Sequence, residues 1–187
     1  MKYIFGALGV IGIIILFVVF IVNGDDSNTP AQNAAETPMQ LVDYAKKPSS
    51  VSVTSYGKLV GDTEYRSIRV TVSPNERRVE VLAGYNEAVV SSNTYQNTPL
   101  AYENFLSALS AQGFLRSKNT NITDERGACP TGNRYAYALR ENGKDVSRLW
   151  IATCDGVGTF AGRSATIRTL FERQIPDYSQ QVRGVRI

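Results

Sequence analysis

The sequence predicts an α+β fold: a single N-terminal transmembrane helix, then one domain of antiparallel sheet (about six strands) with two main helices packed on one face and one disulfide. Three observations lead there. Residues Ile4 to Val22 are apolar, with no charge and no proline. Several later segments alternate apolar and polar residues as half-buried strands do, and two others repeat apolar residues at helical spacing.

The apolar run comes first in the chain. As a helix rising about 1.5 Å per residue it reaches roughly 28 Å, close to the hydrocarbon thickness of a bilayer. This length favours an uncleaved signal anchor over a cleavable signal peptide, and Val22-Asn23-Gly24 matches a cleavage site only loosely. No cysteine follows the run, which excludes lipid attachment in the manner of a bacterial lipoprotein. Lys2 precedes the run, Asp25 and Asp26 follow it, and the next basic residue is Lys46. Basic residues resist translocation, so a cytoplasmic amino terminus and an extracytoplasmic remainder are expected, with residues 1–23 as a single-pass anchor in the cell membrane. Gly6, Gly9 and Gly12 recur every three residues, not at the four-residue spacing of close helix dimers, and read as ordinary membrane-helix glycines. Residues 24–37 are small and polar, with Pro30 among them, and read as a flexible linker. Residues 38–187 are of a length for one domain with a single core.

Within that domain, Thr37 and Pro38 open a short helix that Pro48 ends, with Leu41, Val42 and Ala45 on one side. Four strands follow as a meander: around Val51 and Val53, around Ile68 to Val72, around Val79 to Ala83, and from Ala88 to Tyr95. Ser73-Pro74-Asn75-Glu76 and Gly84-Tyr85-Asn86 supply turns between them. A helix opens at Thr98 and Pro99, presents Tyr102, Phe105, Leu106 and Leu109 at i, i+3, i+4 and i+7, and closes at Gly113. A hairpin then turns at Asn142-Gly143. A regular register from that turn pairs Leu139 with Val146, Tyr137 with Arg148 and Tyr135 with Trp150, and sets Cys154 opposite Thr131. After a glycine-rich loop from Gly156 to Gly162, a second main helix runs from about Ala165 to Ile175 with Ile167, Leu170, Phe171 and Ile175 on one face. The tail from Ser179 onward reads as loosely held.

The two cysteines, Cys129 and Cys154, read as one structural bridge, since disulfides persist outside the reducing cytosol. They lack the Cys-x-x-Cys spacing of a redox pair. The chain contains no histidine, which removes histidine-based nucleophile systems, zinc sites and acid–base catalysis. Asp25-Asp26 and Asp124-Glu125 lack the alternation of a calcium loop, so no metal or other cofactor is expected. The Gly156–Gly162 loop resembles phosphate-binding loops only superficially. Five residues, not four, separate its outer glycines, Arg163 stands where a lysine is needed, and no second parallel strand follows. Glu103, Asp124, Glu125 and Asp155 are the carboxylates open to a hydrolytic pair. The net charge of +3 is too low for a nucleic-acid footprint, although the arginines from Arg163 onward make a mildly basic end. Asn121-Ile122-Thr123 has the form of a glycosylation sequon. Tyr135, Tyr137, Arg148 and Trp150, grouped on one hairpin face by the expected register, form with Arg163 a candidate binding surface, the alternative for the rings being ordinary core packing.

The expectation is a membrane-anchored extracytoplasmic protein, not an enzyme, that binds or scaffolds a protein or polymer partner of the cell envelope. One alternative is a membrane-tethered hydrolase acting on envelope polymers with a carboxylate pair. Another is a pilin-like filament subunit, against which Pro30 and Pro38 count because such subunits use one long continuous helix.

Overall fold

The computed structural model describes residues 40–187, which belong to one compact unit. The expected anchor, the linker and the Thr37-Pro38 helix start lie outside the described residues. Among the described residues no helix is long and apolar enough to cross a membrane.

Six strands form a single antiparallel sheet: β1 (Ser49–Tyr56), β2 (Arg66–Val72), β3 (Glu76–Ala83), β4 (Ala88–Gln96), β5 (Arg134–Glu141) and β6 (Lys144–Ala152). Their spatial order is β4-β3-β2-β1-β5-β6. The meander of the first four strands is thus extended on its β1 side by the hairpin β5–β6. Two helices accompany the sheet, α1 (Pro99–Ala111) and α2 (Ser164–Glu172), followed by a single turn α3 (Tyr178–Gln181).

The alternation read from the sequence sorts the sheet's two faces. Val51 and Val53, Ile68, Val70 and Val72, Val79, and Tyr135, Tyr137 and Leu139 share one cluster with Tyr102, Phe105, Leu106 and Leu109 of α1 and with Ile167 and Phe171 of α2. Thr98 accepts a hydrogen bond from the Ala101 amide at 3.2 Å, so α1 starts where proline and a capping hydroxyl together favour it. The rings of Phe105 and Phe171 meet edge-on at 5.1 Å where the two helices approach each other.

Four expectations are corrected. The segment before β1 is a 3₁₀ turn, Leu41–Lys46, and it buries Leu41 with Tyr44, with Ala45 partly buried against the same core and Val42 outside it. Three residues per turn put i and i+3 on one side, and Pro48 leaves no room for a longer helix. The helix α2 ends at Glu172, short of Ile175, and Ile175 reaches the core from the turn beyond it. The tail is not loose: Asp177, with φ of 51°, reverses the chain, and Tyr178, Val182 and Val185 pack against the core.

The fourth correction is the hairpin register. Glu141 pairs with Lys144 and Arg140 with Asp145 as the turn dictates, but a bulge follows and Leu139 opposes Ser147. Val146 is left over, about half exposed. A bulge puts two residues against one and slips everything beyond it. Tyr137 therefore pairs with Leu149, Ala136 with Trp150 and Tyr135 with Ile151. The slip lets Leu149 and Ile151 join the helix-side cluster, while Trp150 turns to the other face and packs with Tyr56, Tyr65, Ala136 and Ala152. Among the described residues, no helical residue belongs to that second cluster.

Candidate functional site

The bulge separates the residues that the expected register grouped. Tyr137 is 1 % exposed, stacks on Phe160 at 4.2 Å between ring centres, and shares a hydrogen bond of 2.7 Å with the Ser164 hydroxyl. Tyr135 is buried beside it with the Arg168 guanidinium 4.1 Å above its ring. Trp150 is 2 % exposed on the opposite face and donates its indole N–H to the Thr123 carbonyl at 3.1 Å. Arg163 stands at the start of α2, exposed, 3.5 Å from the Gln112 side-chain oxygen. Only Arg148 remains in a polar setting on the sheet. The three rings are core, and none presents a platform.

Arg148 belongs to a network on the face that, among the described residues, no helix covers. Tyr56, the last residue of β1, donates its hydroxyl to Glu87 Oε1 at 2.7 Å. Arg69 of β2 pairs with the other oxygen of Glu87 and reaches Thr54 Oγ1 at 3.4 Å. From β6, Arg148 pairs with Glu125 and approaches the Tyr56 hydroxyl at 3.5 Å. Arg134 of β5 lies beneath, 6 % exposed, donating to the Glu125 carbonyl and to the Tyr65 hydroxyl at 2.9 Å each. Its guanidinium carbon is 5.5 Å from the Tyr56 ring centre, and among the described residues no carboxylate pairs with it. The buried cation is carried by a carbonyl, a phenol and an aromatic face, which together replace part of the lost hydration.

Chemically this network is a brace. Burial first, and then the hydrogen bond to Glu87, push the Tyr56 phenol far above its ordinary range, so it stays protonated and acts as a donor. Glu87 and Glu125 are each engaged in an ion pair with an arginine, Glu87 with Arg69 and Glu125 with Arg148. The other candidate carboxylates have different settings. Glu103 is exposed on α1, and Asp155 sits in a turn with φ of 53°. Asp124 is clamped by the side chain and amide of exposed Arg126, which hold its carboxyl down at about 2. Among the described residues no group of three or more histidine, cysteine, aspartate or glutamate side chains is placed to hold a metal.

The glycine loop has a packing role. A Cβ on Gly158, whose φ is +138°, would lie 2.2 Å from the Trp150 carbonyl oxygen. Gly162 is likewise pressed against the Gly113 carbonyl. Close approach lets the loop bond along the outer side of β6: Phe160 donates to Trp150, Ala152 to Val157, and Trp150 to the Thr159 hydroxyl. The glycines serve backbone proximity, and no phosphate cradle is needed to account for them. The disulfide joins Cys129 to Cys154 across the open end of the hairpin, with Cα atoms 5.5 Å apart.

The two sheet edges differ. On β6, charges at Lys144, Asp145 and Arg148, the bulge at Val146 and the loop bonds block further pairing. The opposite edge, β4, reads AVVSSNTYQ and has no charged residue. Every β4 residue but Tyr95 is exposed, Val89 and Val90 by 53 % and 59 %. A bulge at Val90 interrupts only its beginning. Among the described residues no backbone hydrogen bond reaches β4 from its outer side.

Tyr56, Arg69, Glu87 and the β4 edge were not singled out by sequence reasoning. Tyr56 and Arg69 occupy the polar positions of alternating strands, a weak signal, and Glu87 has none because a turn with φ of 55° aims it. Comparison with known protein families, with curated proteins and with solved structures finds no match to this chain.

Proposed function

We propose that the protein is a single-pass membrane protein of the cell envelope, amino terminus inside, whose extracytoplasmic domain binds a protein partner and catalyses no reaction. The partner adds an extended segment to β4 as a seventh strand. The observation that carries this reading is the asymmetry of the sheet among the described residues: one edge is guarded, and the other is exposed, uncharged and without backbone pairing on its outer side. Main-chain bonds to such an edge supply affinity, and side chains alternating along it supply selectivity. The apolar run Ile4 to Val22 and the disulfide support the anchor and the oxidising compartment.

A carboxylate hydrolase has less support, since the two glutamates nearest a common group are both held by arginines. The test is photocrosslinking in the native envelope from a benzoylphenylalanine at Ser92 of β4, with Ser147 of β6 as the comparison position. Expected is a discrete crosslinked species from Ser92 only, lost when Thr94→Pro removes an edge amide. Equal products from both positions, or none from Ser92, would overturn strand addition.

A further inference from the structure

A cavity of about 710 Å³ opens between the β1–β2 connection and the segment 184–187. Its volume is in the range of small-molecule sites. Three basic side chains from three segments line it: Lys58, Arg66 and Arg186, with Glu64 as the acidic side chain among the lining residues. Lys58 and Arg186 are exposed and have no hydrogen-bond or ion-pair partner among the described residues. Arg66 is held in place by one nitrogen, Nη1, which donates to the carbonyls of Thr63 and Tyr65 at 2.8 Å each. Its other nitrogens are left for a ligand. A guanidinium fixed by its own backbone loses little freedom when it binds, and its fork matches the oxygens of a phosphate.

Apolar residues share the wall with Thr63 and Glu64: Val81 on its sheet side, Val185, and Val60, 41 % exposed, at its margin. Gly57 allows the enclosure: a Cβ there would lie 2.7 Å from the Ile187 Cα, so any larger residue would displace the segment that forms one wall. Three cations and one carboxylate line the cavity, so its wall carries a net positive charge that a bound anion offsets. We infer that this cavity binds a phosphate ester carrying an apolar group, the phosphate on Lys58, Arg66 and Arg186 and the apolar part against Val60 and Val81. The site is separate from β4 and stands whether or not a partner strand pairs there.

The test is calorimetric titration of the full chain, reconstituted in phosphatidylcholine nanodiscs, with hexyl phosphate, hexanol and inorganic phosphate. Expected are saturable binding of hexyl phosphate, weaker binding of inorganic phosphate, and no saturable binding of hexanol. The double variant Lys58→Ala/Arg186→Ala, at exposed positions, weakens hexyl phosphate binding by about tenfold or more, and Arg183→Ala, outside the cavity, leaves it unchanged. Nanodiscs containing phosphatidylglycerol identify the source of the ligand: loss of hexyl phosphate binding there marks a lipid headgroup as the occupant, and unchanged binding marks a soluble ester. Hexanol binding as tightly as hexyl phosphate, equal affinity in wild type and a double variant with unaltered melting, or no saturation by about 10 mM would overturn the inference.

Discussion

Gly158 and Gly156 stand two residues apart in one loop and have different reasons to be glycine. At Gly158 an added methyl would lie 2.2 Å from a carbonyl oxygen of β6, in rigid backbone. At Gly156 nothing lies within 4 Å of the same position, and only the left-handed φ of +61° disfavours a side chain. Gly158→Ala is therefore expected to cost about 2 kcal/mol or more, by forcing the loop off the strand. Gly156→Ala is expected to cost about 1 kcal/mol, through strain alone. Urea denaturation of both variants checks the order, and equal losses would refute the close-approach argument. The same contrast explains what could be read from the chain. A glycine-rich run announces a loop, but whether each glycine serves a ligand, a turn or a contact depends on atoms far along the chain. Glu87 illustrates the converse, because its role is set by long-range partners, Tyr56 and Arg69, and by a backbone angle that glutamate rarely adopts.

Helix α1 was legible almost to the residue, since its cap, its apolar stripe and its closing glycine all act within a few residues of one another. The hairpin was legible only as far as Arg140 and Asp145. Beyond them the register is set by competition between faces: the bulge at Val146 lets Leu149 and Ile151 face the helices while Trp150 fills the second cluster. Turn chemistry cannot decide that, because it depends on which surfaces await burial on each side. The disulfide tolerates the slip because it lies past Arg134 and Ala152, the last paired residues of the hairpin. With its cysteines 25 positions apart, the chain-entropy model gives a contribution of about 3 to 3.5 kcal/mol. Reduction should lower the free energy of unfolding by about that amount while the far-ultraviolet spectrum of the native state is retained. A loss below about 1 kcal/mol would mean that the ladder β5–β6 already orders the hairpin's open end in the unfolded ensemble.

One core unites the helices with the sheet, and tyrosine hydroxyls are built into it. Burial pushes the phenols of Tyr102, Tyr137 and Tyr178 up to about 12, against an ordinary value of 10.0. Their folded-state values exceed the unfolded ones, so the associated stability is complete below pH 10 and is lost as pH rises from 10 through 12. Every tenfold difference in proton affinity between the folded and unfolded chain corresponds to about 1.4 kcal/mol, which makes three such groups in one cooperative structure sufficient to unfold it. The urea midpoint is expected to stay level between pH 7 and 9 and to collapse above pH 10, together with a rise in phenolate absorbance. Tyr102→Phe should make the collapse shallower. Complete phenolate formation in a chain that keeps its fold would contradict the buried placement of these rings.

A sheet with one sealed margin and one open margin has a consequence for how copies of this chain can meet. If two of them joined through their β4 strands, the continuous sheet would end on both sides in β6, where the loop from Val157 to Phe160 already occupies the backbone. Nothing would remain for a third to add to. Association by this route is self-terminating at a pair, because the loop together with the charges and the bulge of β6 closes off fibre growth through the sheet.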